Sequence, residues 1–523
     1  MKKSKNFLGL LMSLVLVLAL CLTFAIPVFA EEESKEAEES ETEAAEEVAE
    51  EEPAGEEKAE EPAEEKAEEL PTVELESMSA EDFKAALEDE NTLVIDTRTN
   101  DQFNGWAMGE GDLAGHIKGA TDFSYRWLNS EYDEEGNLEG LTREEVLTEA
   151  LEVKGITADK NIVLYDTNGE DAGKVAAYLQ SKGIENVAYF NAKDFDGEVV
   201  RYANYSKILP PTVVKDYIDN GKAETLEEGK KYFIFNVSWG EVDQSGYLDG
   251  HVPTAIHVNT DWFEPEELGW MLDSDENLFK LMNKLGITKE DGAIVTGPEP
   301  MAATRFATIL SYLGVSDVRY MNGALVNWKG YGFELETENN EPTANEDFGT
   351  DTPLNPELII NQDRMAEILE KEMDKFQLCD IRTREEFVGK STGYSYHDKM
   401  GRLDQSIYGW AGINENSSSM YYYRNVDKTM RNGAEILAMM KGSGFDLAKP
   451  IITYCGSGWR AAEVVVYLQA LGHEGDALYS DGWIGWSNNE RPALNNDDAA
   501  AELPEKPVLD FEFDFDFEEV VEK

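Results

Sequence analysis

Short apolar runs that end in polar residues recur along the chain and predict buried β-strands. The first run of each set spans residues 93–98, 232–237 and 376–382. A second run follows in each set, at residues 161–166, 292–297 and 450–455. Behind each second run, apolar residues recur at helical spacing, and a glycine stands where the predicted helix ends (Gly183, Gly314 and Gly472). The order strand, strand, helix therefore occurs three times.

This repeat has a period of about 140 residues, which suits a whole domain rather than a small solenoid unit. Alternating short strands and helices predict an α/β fold with a mainly parallel sheet and helices on both faces. We therefore expect three tandem domains, here called domains 1, 2 and 3, at residues 71–205, 211–340 and 355–495. Ligands of such sheets bind at the carboxyl ends of the strands.

A turn containing glycine and histidine follows the first strand in two of the copies, at residues 115–120 and 250–255. We expect His116 and His251 to fix this turn through a hydrogen bond rather than to act in catalysis. Domain 3 has a longer segment at this place, with His397, Lys399 and Arg402. The sequence leaves open whether that segment forms a pocket rim or a surface loop.

The N-terminal segment differs from the three domains. Lys2, Lys3 and Lys5 precede an apolar run, and small residues follow at 28–30, which predicts a signal peptide over residues 1–30. An uncleaved membrane anchor is the alternative, since the run is long. Residues 31–70 hold 21 Glu and 3 Lys and predict a solvated acidic stalk. We expect the protein to be exported to the cell envelope or the outside of a bacterium. The stalk either holds the folded part away from a membrane or cell wall or is a spacer without a partner.

At the other end, residues 496–523 form an acidic and aromatic tail. Its alternating phenylalanines (Phe511, Phe513, Phe515 and Phe517) predict a strand with one apolar face. Docking on its own chain is the interpretation we favour, and binding to a partner is the alternative, since a free row of phenylalanines promotes aggregation.

Composition excludes several classes of function. The formal net charge of −62 disfavours nucleic-acid binding, which needs a basic surface. Only Cys379 and Cys455 remain after signal removal, so no disulfide framework is expected. Cys379 is interpreted as a buried inert thiol, with a regulatory disulfide to Cys455 as the alternative. The five histidines show no metal-ligand spacing with cysteine, so we expect neither a metal site nor a cofactor.

The clearest candidate chemistry lies in residues 455–460, here called the cysteine loop. Cys455 ends a predicted strand, and a helix is predicted to begin near Ala461. Two glycines allow backbone N–H groups to converge on one point, and both the helix and an arginine add positive potential. These features favour a thiolate at Cys455 and an anion-binding loop around it, formed by Gly456, Ser457, Gly458, Trp459 and Arg460.

These motifs together resemble the rhodanese family of sulfurtransferases. The first is a strand ending in Asp380 and Arg382, followed by Glu386 and Phe387; the second is the glycine-histidine turn, and the third is the Cys-x4-Arg loop. The resemblance covers nearly all of residues 71–495 as three consecutive domains. The resemblance is strongest in domain 3, where the cysteine loop and residues 423–425, 429–431 and 481–483 look like those of exported bacterial thiosulfate sulfurtransferases.

The resemblance implies that Cys455 attacks the outer sulfur of thiosulfate and becomes a persulfide. A thiol or cyanide then accepts the outer sulfur of that persulfide. The partners implied are therefore a small anionic sulfur donor and one of these acceptors. Arg460 is the first candidate for contact with the donor's sulfonate, and Arg424 is a second, with an exposed surface ion pair as its alternative. We expect Asp380 and Arg382 to brace the loop.

Domains 1 and 2 are expected to be catalytically silent. Asp166 and Gly297 align with Cys455, and neither can hold a persulfide. In domain 1 the carboxylates of residues 166–171 are expected to repel an anion, and in domain 2 Pro298 and Pro300 remove N–H donors. The family resemblance implies that a silent domain packs against the active one and helps to wall its site.

Three functional alternatives remain open. Phosphatases and arsenate reductases of the same fold use a loop one residue longer, Cys-x5-Arg, so sulfur transfer is favoured. Mercaptopyruvate is a second possible sulfur donor, because the Cys455 to Gly458 segment also resembles mercaptopyruvate sulfurtransferases. A non-catalytic binding protein of the cell envelope is the alternative from another class, suggested by the two silent copies and the stalk.

Overall fold

The computed structural model describes residues 70–129, 140–413, 418–494, 503–504 and 506–507. The predicted signal peptide, the stalk up to residue 69 and the phenylalanines of the tail lie outside the described residues. None of the helices within the described ranges has the length and apolar character needed to span a membrane.

Domain 1 is built on a four-stranded parallel sheet. Its strands are β1 (Thr92–Asp96), β2 (His116–Ile117), β3 (Thr121–Asp122), β4 (Asn161–Asp166), β5 (Val187–Asn191) and β6 (Val199–Val200). Its helices are α1 (Ala80–Leu87), α2 (Asn100–Asn104), α3 (Arg143–Val153) and α4 (Glu170–Ser181). The sheet order is β3-β1-β4-β5, and β2 and β6 form a separate antiparallel pair.

Domain 2 has a five-stranded parallel sheet in the order β7-β11-β10-β8-β9. Its strands are β7 (Ile208–Leu209), β8 (Tyr232–Ser238), β9 (Ile256–Asn259), β10 (Gly292–Thr296) and β11 (Asp317–Met321). Its helices are α5 (Pro211–Asn220), α6 (Asp275–Leu285), α7 (Pro300–Leu313) and α8 (Ala324–Gly330). Strand β7 pairs with β11, so this sheet includes residues ahead of the predicted domain start at residue 211.

Domain 3 repeats that order as β12-β16-β15-β13-β14. Its strands are β12 (Ile359–Ile360), β13 (Gln377–Asp380), β14 (Ser406–Tyr408), β15 (Ile451–Tyr454) and β16 (Ala477–Tyr479). Its helices are α9 (Gln362–Lys371), α10 (Arg384–Phe387), α11 (Gly433–Gly442), α12 (Trp459–Leu471) and α13 (Gly482–Asn488). The predicted α/β fold with mainly parallel sheets in three copies is confirmed.

Helices cover both faces of the sheets because alternate strand residues bury apolar side chains on opposite sides. In β8, Phe233 and Phe235 face one apolar core, whereas Tyr232 and Ile234 face another. The first of these cores is continuous between domains 2 and 3. It includes Phe306 and Leu310 of α7 together with residues of α12, and α7 packs directly against α12.

The predicted turns are held by their histidines. The Nδ1 atom of His116 lies 2.8 Å from the carbonyl oxygen of Phe103. The Nδ1 atom of His251 lies 2.8 Å from the carbonyl oxygen of Tyr247. Burial lowers the pKa of His116 to about 4, which suits a neutral ring held by a backbone carbonyl. The structural role expected for these residues is confirmed.

Candidate active site

Cys455 directly follows β15 and lies at the carboxyl edge of the domain 3 sheet. Cys455 is 1% exposed, and its Sγ atom accepts a hydrogen bond of 3.2 Å from the backbone N–H of Gly458. The next residue, Trp459, begins α12, so the positive end of a long helix faces the sulfur. This geometry stabilises negative charge on Sγ with fixed backbone dipoles.

Both glycines of the cysteine loop suit its shape. Gly458 has φ of 102°, in the left-handed region. A Cβ on Gly456 would lie 2.1 Å from the hydroxyl oxygen of Tyr394, so any larger residue there would require the Tyr394 side chain to shift. The loop carbonyls are also held, since the N–H groups of Trp483 and Ile484 donate to Cys455 and Gly456. Ser457 is buried in the same loop.

The guanidinium of Arg460 is directed at a protein carboxylate. It donates two hydrogen bonds to Glu386, of 2.8 and 2.9 Å, and one of 3.1 Å to the Tyr394 hydroxyl. Burial opposes ionisation of Glu386, but the charge of Arg460 holds its pKa below the usual value. The positive charge expected at the loop is therefore balanced by Glu386. Contact between Arg460 and the donor stays a prediction.

Asp380 and Arg382 form a buried brace between neighbouring strands. Arg382 donates to both carboxylate oxygens of Asp380, at 2.8 and 2.7 Å, and to the Gly401 carbonyl. The hydroxyl of Tyr454, the last residue of β15, donates to Asp380 at 2.6 Å. The brace therefore fixes the end of the strand that carries Cys455, which is the supporting geometry expected of these two residues.

Arg424 lies in a different network. Its guanidinium donates to Glu463 of α12 at 2.7 and 2.6 Å and to Glu299 of domain 2 at 2.6 Å. The Arg424 side chain is 10% exposed, so the alternative of an exposed surface pair is wrong. Because two carboxylates already hold its charge, the structure gives no support to donor binding by Arg424.

Domain 2 contributes directly to the surroundings of the cysteine loop. The indole N–H of Trp459 donates to Glu264 of domain 2. Glu264 also pairs with Arg305, whose Nη2 donates to the Ser480 hydroxyl at 2.7 Å. Domain 2 therefore packs beside the cysteine loop, as expected of a domain that helps to wall the site, and its catalytic silence stays a prediction. Trp459 lies where domain 2 meets the loop.

Three aromatic rings of two domains form a cluster that begins at the cysteine loop, where the Tyr394 hydroxyl accepts a hydrogen bond from Arg460. The rings of Tyr394 and Tyr396 are 5.4 Å apart, and Trp270 of domain 2 lies 4.8 Å from Tyr396. Burial, followed by the charge of the nearby Cys455, raises the pKa of Tyr396 to about 12. The long segment of domain 3 therefore lines the site with these tyrosines.

The rest of that segment is held against domain 3. The Nε2 atom of His397 lies 3.0 Å from the Ser487 hydroxyl, and Lys399 donates to the Ser487 carbonyl at 2.9 Å. Arg402 donates to the carbonyl of Phe387 at 3.2 Å. These residues anchor the segment, and its two tyrosines supply its contact with the site.

The equivalent loop of domain 1 is occupied by the carboxylate of one of its own residues. The carboxylate of Asp166 accepts hydrogen bonds from the N–H groups of Asn168, Gly169 and Ala172 and from the Tyr189 hydroxyl. The expectation that carboxylates here only repel an anion was incomplete, because Asp166 itself fills the loop. In domain 2, a Cβ on Gly297 would lie 2.2 Å from the Val237 carbonyl oxygen. That position has no room for a cysteine.

Comparison with known proteins decides the family. A profile described as rhodanese-like domain matches residues 79–197, 221–331 and 364–489. The chain belongs to the rhodanese family. The three matches fall within the three domains, and together they span more than half of the chain.

Several relatives are named for sulfur transfer. The thiosulfate sulfurtransferase YnjE of Escherichia coli is 29% identical over 407 residues, covering 77% of this chain and 89% of that protein. The 3-mercaptopyruvate sulfurtransferase of Escherichia coli is 24% identical over 266 residues, covering 50% of this chain and 85% of that protein.

Solved structures extend the comparison. The anaerobic ergothioneine biosynthesis enzyme of Chlorobium limicola, in complex with trimethyl histidine, has a TM-score of 0.72 and 27% sequence identity. The match covers 81% of this chain and all of that chain (100%). The EanB complex with ergothioneine has a TM-score of 0.73 and 27% identity, and covers 81% of this chain and 99% of that chain.

Sequence reasoning missed several residues of this rhodanese site. Glu386 was quoted only as part of a motif, although its position three residues after Thr383 is that of a capping box, which the structure shows. Tyr394 and Tyr396 could have been noticed as a Tyr-x-Tyr pair in the longer segment. No local signal marks Glu264, Trp270 or Arg305, because these residues reach the site from another domain.

Both cysteines of the described chain are free and buried. Burial raises the pKa of the Cys379 thiol well above its usual value, which agrees with an inert residue. The alternative disulfide with Cys455 is not formed in this structure. Within the described ranges, no group of three or more His, Cys, Asp or Glu residues has the arrangement of a metal site.

Proposed function

We propose that this rhodanese is a thiosulfate sulfurtransferase with Cys455 as its nucleophile. The observation that carries the proposal is the Cys455 sulfur at the start of α12, with the Gly458 N–H donating to it at 3.2 Å. This is the only copy of the three whose loop has a sulfur at that position. Its relation to YnjE supports thiosulfate as the donor.

The proposed reaction has two steps. The Cys455 thiolate attacks the outer sulfur of thiosulfate, a new S–S bond forms, and sulfite leaves with the electron pair of the broken bond. The persulfide keeps the negative charge that the thiolate carried, and the same backbone N–H groups stabilise it. Cyanide or a thiolate then attacks the outer sulfur, takes that atom, and returns Cys455 to the thiolate.

The decisive experiment uses the full chain and a matched Cys455→Ser variant. Each is treated with thiosulfate or with mercaptopyruvate, and the intact mass is measured before and after addition of cyanide. We expect the native chain to gain one sulfur atom from thiosulfate and lose it to cyanide, and the serine variant to gain none. An unmodified native chain with both donors would overturn the proposal, and a gain from mercaptopyruvate alone would replace the donor.

The same comparison tests the non-catalytic alternative. A structural thiol should react slowly with iodoacetamide at neutral pH, whereas a stabilised thiolate should react quickly and be protected by thiosulfate. Because the chain carries a net charge of −62, salt should weaken its repulsion of thiosulfate. The KM for thiosulfate is therefore expected to fall as ionic strength rises through the low range.

A second candidate acceptor is favoured by the aromatic rings at the site. Trp270, Tyr394 and Tyr396 present three neighbouring rings, an arrangement suited to a quaternary ammonium group. The structural neighbours include an enzyme bound to trimethyl histidine and one with a cysteine persulfide. In that transfer a C–S bond would form between the imidazole carbon and the outer sulfur as the S–S bond breaks, and Cys455 would leave as the thiolate. The proton on that carbon would move to a ring nitrogen and give a thione, so no external oxidant is needed.

This candidate is tested by calorimetric titration of the full chain with trimethyl histidine, also called hercynine. Trp270→Ala and Tyr396→Ala should weaken binding at least tenfold if the rings hold the trimethylammonium group. Tyr178→Ala, a change at a ring of domain 1 that stacks on Phe123, is the control. Absence of hercynine binding by the native chain would leave the thiol and cyanide acceptors.

We also propose that the chain is exported, on the strength of its first 30 residues. Fractionation of a bacterial host that produces the full chain with a C-terminal tag tests this. Export should place the tag outside the cytoplasm, and removal of residues 2–30 should retain it inside. A tag that stays in the cytoplasm with the full chain would exclude export.

A further inference from the structure

The contact between domain 2 and the cysteine loop centres on a buried ion pair. Glu264 and Arg305 both belong to domain 2, and both side chains are at most 2% exposed. The Nε and Nη2 atoms of Arg305 bind Glu264 at 2.8 and 2.7 Å. The pair meets domain 3 at two points, the indole of Trp459 and the hydroxyl of Ser480.

A third point of contact is Gly458, the residue whose N–H donates to Cys455. A Cβ on Gly458 would lie 3.0 Å from Nη1 of Arg305 and 3.1 Å from its guanidinium carbon. The guanidinium therefore packs on the backbone of the sulfur's hydrogen-bond donor. Arg305 and Glu264 thus contact Gly458, Trp459 and Ser480, which surround the loop from the side of the silent domain.

The Nη1 atom of Arg305 is buried and has no hydrogen-bond partner among the described residues. A buried N–H donor without a partner is costly, and such groups in folded proteins call for an explanation. Here the atom lies against the backbone of Gly458 in the cysteine loop. A cation with an unused N–H donor in that position is suited to stabilise a loop that carries negative charge on atoms beyond Sγ.

We propose that Arg305 is a positioning residue for sulfur transfer, supplied by the silent domain. It holds the Gly458 N–H in line with Cys455 and adds positive potential when the loop holds the donor or the persulfide. Glu264 keeps the guanidinium oriented and fixes Trp459, the first residue of α12. The inference rests on the proposed function for its reaction, and the ion pair itself stands on the geometry. It gives domain 2 a role in the chemistry of domain 3.

The test compares Arg305→Gln, Arg305→Lys and the double change of Arg305→Gln with Glu264→Gln. The double variant removes both charges together, so no unpaired carboxylate stays buried, and it remains informative if the single variant fails to fold. Glu299→Gln is the matched control. It removes an ion pair between domains 2 and 3 from the residue that precedes α7. The side-chain hydrogen bonds of its partners Arg424 and Lys428 go to Glu299 and Glu463, outside the cysteine loop.

Two measurements are made on folded protein at neutral pH. The first is the rate of Cys455 alkylation by uncharged iodoacetamide, which requires no sulfur donor. The second is kcat and KM with thiosulfate and cyanide. We expect the glutamine variants to lose at least fivefold in alkylation rate and at least tenfold in kcat, with a smaller change in KM. Arg305→Lys should recover part of both losses, and Glu299→Gln should match the native chain.

Native alkylation and turnover in a folded double variant would overturn the inference. Equal losses in Glu299→Gln would do so as well, because they would indicate a general effect of domain packing. If the native chain takes up no sulfur, the proposed function fails. The alkylation rates still decide whether Arg305 positions the loop.

Discussion

The loops of domains 1 and 3 share a backbone hydrogen bond that is donated to two different side chains. In domain 3, the N–H of Gly458 donates to the Cys455 sulfur three residues earlier. In domain 1, the N–H of Gly169 donates to the Asp166 carboxylate, also three residues earlier. The backbone thus offers N–H donors to the side chain at this position in both loops, to a cysteine sulfur in domain 3 and to a carboxylate in domain 1.

The braces beneath the loops extend this comparison. Domain 1 has Arg98 bound to both oxygens of Asp96, with the Tyr165 hydroxyl on the same carboxylate. Domain 3 has the corresponding set of Arg382, Asp380 and Tyr454. Domain 1 therefore has the same brace as domain 3, with Asp166 in place of Cys455.

Domain 2 has neither a cysteine nor an aspartate at the start of its loop, where Gly297 stands, and its described residues include no equivalent of the brace. Strand register places Thr296 beside Asn236 and Tyr454 beside Asp380, so smaller polar residues stand where the brace would be. Oxygens of Asn236, Ser238 and Thr296 are buried without a hydrogen-bond partner among the described residues. The domain nevertheless reaches the active site through Glu264 and Arg305. A domain without a cysteine in its own loop thus contacts the cysteine loop of its neighbour.

The largest effect is expected when the active loop is converted to the domain 1 form. Cys455→Asp should lower sulfur transfer on the order of 10⁴-fold or more, because the nucleophile is removed. The free energy of unfolding should not fall, since the new carboxylate can accept the loop N–H groups. Turnover with cyanide and urea unfolding measure the two effects, with Cys455→Ser as the control. Marked destabilisation by aspartate alone would break the comparison.

Next in size is loss of the brace. Arg382→Gln leaves the Asp380 carboxylate buried without its cation, so the free energy of unfolding should fall by about 3–5 kcal/mol. Arg98→Gln should have a similar effect in domain 1. Chemical denaturation of both variants provides the measurement. A loss below about 1 kcal/mol in either would mean that its brace is dispensable.

The carboxylate in the domain 1 loop should have a smaller effect. Asp166→Ala leaves three backbone donors without their acceptor, so we expect a loss of about 2–3 kcal/mol in stability. Sulfur transfer at Cys455 should stay within about twofold of the native rate, because the lost contacts lie within domain 1. Asp166→Asn retains an acceptor and is the matched control. A large fall in kcat would show that domain 1 affects the active loop.

The smallest effect concerns Asp171 at the start of α4. Burial and the nearby Asp166 carboxylate raise its pKa from 3.8 to about 7. The folded state therefore retains a proton that the unfolded state has lost, and stability falls as pH rises between these values. Asp171→Asn should equal the native chain at pH below about 4 and exceed it by about 1 kcal/mol at pH 8, allowing for solvent screening. Thermal unfolding across this range checks the sign.

Much of the fold could be predicted because its signals are local. Strand β4 has the predicted bounds of Asn161 and Asp166, and Gly314 and Gly472 cap their helices in the left-handed conformation. The cysteine loop was also readable, since two glycines and a helix start follow Cys455 in the chain. The partner of Arg460 was not, because Glu386 lies far away in sequence and the choice between a protein carboxylate and a substrate anion depends on packing.

The sequence alone determined that three α/β domains stand in tandem and that a single copy has a cysteine at the start of this loop. Those features depend on residue spacing and on the conformational freedom of glycine, which act within a few residues. Only the tertiary structure decided which charges meet at the loop. Arg460 is balanced by Glu386, Arg424 is held by Glu299 and Glu463, and Arg305 arrives from a silent domain. Ion pairs form between groups that folding brings together, so their partners depend on the packing of whole domains.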